Sequence, residues 1–365
     1  MKIKKVKVKN FKSLKDVEIE LKGLTLITGV NSGGKSSFLQ SMLLLKQNED
    51  KFYSTKRKKI ININGYYVKL GNKKDILFEE AYDENIEITI SSDEKSYKLS
   101  FEPTTLKMYE NSLLDDRELF NIFYDNFQYI STDRVSPNIS YTLSQDEIEK
   151  GLIGIKGEYT AHYLANNIHQ KLNIENLKHS KAVTNHLLEN ASLWLSEISR
   201  GIRVNAKVFD ELQQVNLTYS YIYGKDKTRE YTPLNVGFGI TYSLPIIVAI
   251  LKAKRGDLVI IENPESHLHP AGQAKIANLI VLAVANGVDV IVESHSDHFL
   301  NAIRVATKKG IISSDNSVIY YFDKDENSIE TKITKLTISK DGKINESWPK
   351  GFFDEYENLL DELLW

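Results

Sequence analysis

Polar and apolar positions alternate from the first residues of the chain. Ile3, Val6 and Val8 stand between lysines, and Val17, Ile19 and Leu21 between Asp16, Glu18 and Glu20. A period of two predicts half-buried strands, with residues 10–15 as their connection. Residues 24–28, LTLIT, form a short apolar run ending at Gly29, which predicts a buried strand. After Lys35 the spacing changes: Phe38, Leu39, Met42, Leu43 and Leu45 fall on a helix. Residues 46–59 are polar and basic and read as a loop. Residues 60–101 alternate again, punctuated by Gly65, Gly71 and Asp83-Glu84, which predicts an antiparallel β lobe inserted after the first helix. Residues 127–130 are a short strand. Over residues 157–203 the pattern is helical, with Tyr163, Leu164, Ile168, Leu172, Val183, Leu187, Leu188, Leu193, Trp194 and Ile198 on a core face. Residues 204–223 alternate as strands. From Pro233 onward strand and helix signals interleave. The apolar runs 258–262 and 288–293 are strand-length with helical segments around them, which predicts parallel strands of a wound sheet.

The longest apolar stretch, residues 244–251, is half the length of a membrane span and reads as a buried helix. No transmembrane helix or secretory leader is expected. The 365 residues suffice for one large α/β core with insertions, and 41% hydrophobic with 26% charged residues fits a globular enzyme. A net charge of −2 gives no global attraction to nucleic acid or membrane. There is no cysteine, which excludes disulfides, cysteine zinc sites and thiol nucleophiles and fits a reducing cytoplasm.

Chemistry enters at residues 29–36, GVNSGGKS, which match G-x-x-x-x-G-K-[ST] between the buried strand and the amphipathic helix. Glycines let backbone N–H groups wrap around phosphates at a helix N-terminus. In that arrangement Lys35 reaches the β- and γ-phosphates and Ser36 offers a hydroxyl to Mg²⁺. Further along, LVIIE ends in Glu262, the position of a Mg²⁺-holding acid, and Asn263-Pro264-Glu265 follows directly. VIVESH places His295 after another apolar strand, and Gly237-Phe238-Gly239 opens a long apolar helix whose N-terminus suits a phosphate.

In this order the segments resemble the ABC/SMC-like ATPases, and more closely their OLD-like, AAA-family branch. The resembling text is VKNFKSLKDVEIEL, TGVNSGGKSS, YISTDRVSP, NVGFGITYSLPIIVAI, LVIIENPESHLHP and VIVESHSDHFLNAI, with WPKGFFDE near the end similar to the closing segment of one subgroup. The resemblance implies an α/β P-loop NTPase with an ABC-like head, an N-terminal antiparallel β lobe and a helical insertion. It implies a phosphate cradle of Gly29, Asn31, Ser32, Gly33, Gly34, Lys35, Ser36 and Ser37, with ATP and Mg²⁺ bound and Ser36 and Glu262 serving the metal. It puts Thr241 near the signature helix, His295 at the switch position, Lys12 and Ser13 on the nucleoside side and Arg134 near the site. It further implies a homodimer through ATP-sandwiched heads and a separate effector, a nuclease or toxin, in bacterial anti-phage defence.

Departures from that pattern qualify the mechanism. Where many relatives have Asp-Glu this chain has Glu262-Asn263, and asparagine cannot take a proton, although it can position water. Glu265 is the substitute base, so Glu265, Asn263 and His295 form the expected catalytic set. Tyr242 stands where a signature glutamine is usual. Residues after His295 carry no second acidic constellation, so no TOPRIM nuclease is expected. Two further readings stand beside the effector-controlling ATPase. One is a nucleotide-gated DNA clamp with little turnover, for which Lys56-Arg57-Lys58-Lys59 and the first-strand lysines would be contacts. The other is a plain small-molecule kinase or triphosphatase. The expected division is 1–135 and 231–325 as the two halves of the head, 136–230 as a mainly helical insertion and 326–365 as a closing segment anchored by Trp348, Phe352 and Phe353.

Overall fold

The computed structural model describes residues 1–53, 59–111, 120–325, 327–347, 349 and 361–363. Lys56, Arg57, Lys58, Trp348, Phe352 and Phe353 lie outside the described residues. The chain divides into two compact units: residues 1–124, 317–337 and 344–365 form the first, and residues 125–316 and 338–343 the second.

The first unit begins with β1 (Lys5–Phe11), β2 (Leu14–Glu20) and β3 (Leu24–Gly29), then α1 (Lys35–Gln47) and the single turn α2 (Asp50–Tyr53). β4 (Ile86–Ser91), β5 (Ser96–Phe101) and β6 (Met108–Asn111) follow. Five of these strands make the expected antiparallel lobe, in the order β2-β1-β4-β5-β6. Its period-two pattern sends Val6 and Val8 to the core and the lysines outward. Each outward lysine of β1 meets a carboxylate: Lys5 with Glu18 (2.7 Å), Lys7 with Asp16 (3.2 Å) and Lys9 with Asp83 (3.6 Å). These pairs are exposed and screened by solvent, so they add little stability, but together they balance the charge of the face. The basic stretch after α1 is not all loop. Lys46 is buried in the last turn of the helix and donates to Glu49 at 2.7 Å.

The second unit opens with β7 (Gln128–Ile130), β8 (Tyr141–Thr142), α3 (Gln145–Glu149), α4 (Thr160–Asn166) and α5 (Leu187–Ser196). Then come the hairpin β9 (Ile202–Phe209) and β10 (Gln214–Tyr223), the short β11 (Asp226–Lys227) and α6 (Phe238–Leu251). β12 (Leu258–Glu262), α7 (Pro270–Ala285), β13 (Asp289–Glu293) and α8 (Asp297–Lys308) complete it. β12 pairs in parallel with β13 on one side and β7 on the other, as the apolar runs predicted. The helical stretch 157–203 is shorter than its periodicity implied. α4 stops at Asn166, where the Asn167 side chain donates back to the Tyr163 carbonyl, and Val183 is 86% exposed rather than on a core face. Asparagine-rich text competes with the helix backbone for hydrogen bonds, which ends helices.

The chain then returns to the first unit as β14 (Ser317–Lys324) and β15 (Thr331–Leu336). β14 pairs in parallel with β3 along its whole length, from Ser317–Leu24 to Phe322–Gly29, and β15 pairs antiparallel with β14. β3 is buried except at its last residue, so each of its large apolar side chains contributes about 1.5–3 kcal/mol.

Candidate functional site

In the first unit the loop between β3 and α1 is shaped by backbone contacts. Gly29 has φ +132°, and a Cβ there would stand 1.9 Å from the Phe322 carbonyl oxygen. At Gly33 a Cβ would lie 2.8 Å from the same oxygen, and at Gly34 (φ +101°) 2.3 Å from the Thr331 Oγ1. Only glycine fits these positions. The Val30 N–H donates to the Phe322 carbonyl at 3.0 Å, so β14 fixes where the loop leaves β3. Ser32 takes a left-handed backbone, φ +62°.

Lys35 is the first residue of α1 and only 5% exposed. Its ammonium lies across the loop, donating to the Gly29 and Val30 carbonyls at 3.0 and 2.7 Å. Asn31, Ser32 and Ser36 are exposed, Ser37 half-buried. A helix start whose first-turn N–H groups lack intrahelical partners, with a lysine and a serine hydroxyl beside it, fits a phosphate and its magnesium ion. Lys12 donates to Gln40 of α1 at 2.7 Å, and burial holds its pKa below the ordinary lysine value, with Asp75 opposing. The Thr331 hydroxyl donates to Ser13 at 2.8 Å, directly beside Gly34.

The second unit gathers the acids. Glu262, at the end of β12, accepts from the Tyr129 hydroxyl at 2.9 Å through Oε1. Through Oε2 it accepts from the Thr132 N–H and hydroxyl at 3.1 and 3.0 Å. Burial, then the neighbouring carboxylate, push the Tyr129 phenol well above its ordinary pKa, so it stays a donor. Arg134 is 2% exposed and donates through Nη2 to the carbonyls of Glu262 and Asn263, the latter at 3.1 Å. Its guanidinium also lies 5.7 Å from the centre of the Tyr242 ring. Burial lowers its pKa to about 10, so it remains cationic at neutral pH. Arg134 therefore clamps the backbone beneath the acids.

Asn263 sits at φ +42°, a conformation asparagine tolerates better than most residues. Its N–H donates to the Glu293 carbonyl at 2.7 Å and its Nδ2 to the Thr132 hydroxyl at 3.2 Å. Glu265 has both oxygens engaged: Oε2 accepts from the Ser294 hydroxyl at 2.8 Å and Oε1 from the His295 N–H at 2.7 Å. It thus positions the turn that presents the exposed ring of His295.

Thr241 is 4% exposed and faces inward beside the buried Tyr219, lining a small internal cavity with Tyr141 and Pro245. The exposed groups leading into α6 are Leu234, Asn235, Gly237 and Phe238. There the Phe238 and Tyr242 rings lie tilted at 32° with centroids 4.6 Å apart, and His267 meets both edge to face at 4.8 and 4.9 Å. His269 caps α7, its Nδ1 accepting from the Ala271 N–H at 3.4 Å. Among the described residues no group of three or more His, Asp or Glu side chains is placed to hold a metal unaided.

A family described as "AAA domain, putative AbiEii toxin, Type IV TA system" matches residues 24–301. The chain belongs to this AAA-domain family. Residues 312–363, which include β14 and β15, match a second family, described as a protein of unknown function, DUF3696. No curated protein matches the chain. Among solved structures, it is similar to an Smc head bound to the C-winged helix domain of ScpA. That match has 14% identity and a TM-score of 0.52, and covers 92% of this chain and 98% of that one. An Smc head with an extended coiled coil, bound to the C-terminal domain of ScpA derived from Pyrococcus furiosus, gives 13% identity and a TM-score of 0.52 over 100% and 99% of the two chains. At such identities the likeness is one of fold. This AAA-domain protein is an α/β P-loop NTPase with an ABC-like head. No helix among its described residues is long and apolar enough to cross a membrane.

Sequence reasoning missed four positions that shape the site: Phe322 and Thr331 against the loop glycines, and Tyr129 and Thr132 on Glu262. The apolar run VIYYF was a signal for the strand that carries Phe322. Thr132 lies within the resembling segment YISTDRVSP, but nothing there singled it out as a partner of Glu262.

Proposed function

We propose that the protein is a Mg²⁺-dependent ATPase whose nucleotide-bound form pairs two copies of the chain and thereby controls a separate effector protein. The observation that carries the proposal is the loop of residues 29–36, where three positions admit only glycine and Lys35 lies on the loop carbonyls. In this reading Ser36 and Glu262 serve the magnesium ion, which when bound offsets phosphate charge. Hydrolysis joins a water oxygen to the γ-phosphorus and breaks its bond to the β,γ-bridging oxygen, and the water protons leave with the products. His295, Lys12 and the start of α6 are assigned to sensing the nucleotide, its base side and the second copy. The exposed Phe238 and His267, packed on the half-buried Tyr242, support a pairing surface there. A nuclease or toxin as effector, in anti-phage defence in the cytoplasm, is the setting this reading favours. The family description supports it by naming a toxin system.

A second reading, a nucleotide-gated clamp with little turnover, is favoured by Asn263 in place of a base and by Glu265 having both oxygens engaged. Its DNA-binding form is weakened by the carboxylates that match the lysines of β1. The deciding experiment is Mg²⁺-dependent ATP hydrolysis by the purified chain, with Lys35→Ala as control. Turnover reduced at least about 1000-fold in Lys35→Ala is expected for an ATPase. Tight ATP binding with no turnover in the parent selects the clamp.

A further inference from the structure

We propose that the groove between α7 and α8 receives residues 354–365 of a second copy of the chain as an acidic amphipathic helix. The groove lies wholly within the second unit and encloses about 520 Å³. Ala274, Asn278, Val281 and Leu282 recur at helical spacing along α7, and Ala302, Val305 and Ala306 along α8, so each helix lends the groove one wall. The alanines are short, which leaves the space between the walls open. Val305 is 49% exposed, and Ile311, which also lines the groove, 46%. Trp194 of α5 borders it with a fixed ring: its Nε1 donates to the Leu177 carbonyl at 2.9 Å, and His179 meets it edge to face at 5.1 Å. A preformed apolar groove of this kind takes a helix by its apolar stripe.

Charge narrows the choice of helix. Among the described residues lining the groove none is a carboxylate. Lys309 stands at one end of the α8 stripe with Lys308 beside it, and neither forms an ion pair among the described residues. His298 stands at the other end, its Nε2 3.6 Å from Asp297. Such a wall suits a helix with an apolar stripe and acidic flanks. Residues 354–365, DEYENLLDELLW, have that pattern. Tyr356, Leu359, Leu360, Leu363 and Leu364 fall at i, i+3, i+4, i+7 and i+8. Asp354, Glu355, Glu357, Asp361 and Glu362 supply five carboxylates, with no lysine or arginine. Of this segment Asp361, Glu362 and Leu363 are described. They are helical, and Leu363 is 82% exposed, so in a single chain this apolar position is left uncovered. The lengths agree: at 1.5 Å per residue the α8 stripe from His298 to Lys309 spans about 17 Å and the segment about 18 Å. The contact needs no nucleotide, so it goes beyond the ATP-dependent pairing and stands or falls separately.

The test uses the absence of cysteine from the chain. Full chains carrying Val305→Cys and, with a different tag, Leu363→Cys are mixed without nucleotide and mildly oxidised. A mixed covalent dimer is expected to form at least about tenfold faster than with a control cysteine at the exposed Glu211 in place of Val305→Cys, because docking raises the effective concentration of the two thiols. Separately, a fluorescent peptide of residues 353–365 is titrated with the full chain. Val305→Glu should weaken its binding at least about tenfold, and so should exchange of the five peptide carboxylates for amides. Ile311→Glu replaces Val305→Glu if the latter does not fold. Crosslinking no faster than the Glu211→Cys control would overturn the inference. So would peptide binding that neither Val305→Glu nor loss of the carboxylates changes. A purely intrachain disulfide in the double variant Val305→Cys/Leu363→Cys would overturn it too, by assigning the segment to its own chain. ATP hydrolysis enters none of these readouts, so the ATPase reading is judged apart from them.

Discussion

Around residues 29–36 the cradle itself is backbone, and its placing is set by glycines packed on the Phe322 carbonyl and the Thr331 hydroxyl. Around Glu262 the working groups are side chains, and their placing is set by other side chains: Tyr129, Thr132, Arg134, Ser294. The first arrangement leaves almost no freedom of residue type, since an added methyl group meets main-chain atoms that cannot move aside. The second tolerates exchange, provided each donor still finds an acceptor. That difference fits the full match of the loop to its motif, whereas the acidic cluster is held by pairs of side chains. A site made of backbone is rigid in sequence; a site made of hydrogen bonds between side chains can be rewritten.

Substitutions can break this contrast, and the largest effect is expected at Gly29. Gly29→Ala puts a methyl group on the Phe322 carbonyl at a φ of +132°, and loss of more than about 4 kcal/mol of stability is expected. Urea denaturation reads it, and a melt close to that of the parent would mean that the loop is not backbone-locked. Next comes Arg134→Met. It withdraws the Nη2 donor from the carbonyls of Glu262 and Asn263 and should cost about 3 kcal/mol, because the acceptors stay buried.

A buried cation outside the acidic cluster sharpens the point by moving the other way. Lys252, 8% exposed beside Asp257, has its pKa lowered to about 8 from 10.5 by burial. Between those pH values the unfolded chain holds more protons, so this group makes stability rise with pH, and below pH 8 its penalty is fully present. Lys252→Met should therefore stabilise at pH 7 by about 2 kcal/mol and flatten that rise, measured by denaturant melts from pH 7 to 10.5. The smallest change is Tyr129→Phe, which removes one of three donors to Glu262 and should cost about 1 kcal/mol. A loss as large as that of Gly29→Ala would show the acidic cluster to be as intolerant as the loop.

The same contrast governs what could be read from the chain. Strands β1, β2, β3, β7, β12 and β13, the long buried helix α6 and the phosphate loop all follow from local periodicity or from a fixed spacing of glycines. The helical stretch was overread, because spacing alone does not register the asparagines that stop α4 and leave Val183 exposed. The placing of Thr241 was also hidden. The resemblance put it near the start of the signature helix, and the turn of α6 directs it toward the buried Tyr219. Thr132 and Tyr129 could not be found from the text, since their importance arises from partners more than a hundred residues away, in contacts that no local pattern encodes.

β14 carries one further consequence. Gly29 and Gly33 close on Phe322, and Gly34 on Thr331, so the nucleotide loop near the start of the chain is walled by residues near its end. During synthesis the first strand and helix leave the ribosome long before this wall exists, and a contact so distant in sequence forms late. Until residue 331 has emerged, the growing polypeptide has no complete cradle. Competence to hold a triphosphate is then acquired only once residue 331 has emerged, and products truncated before it lack that competence.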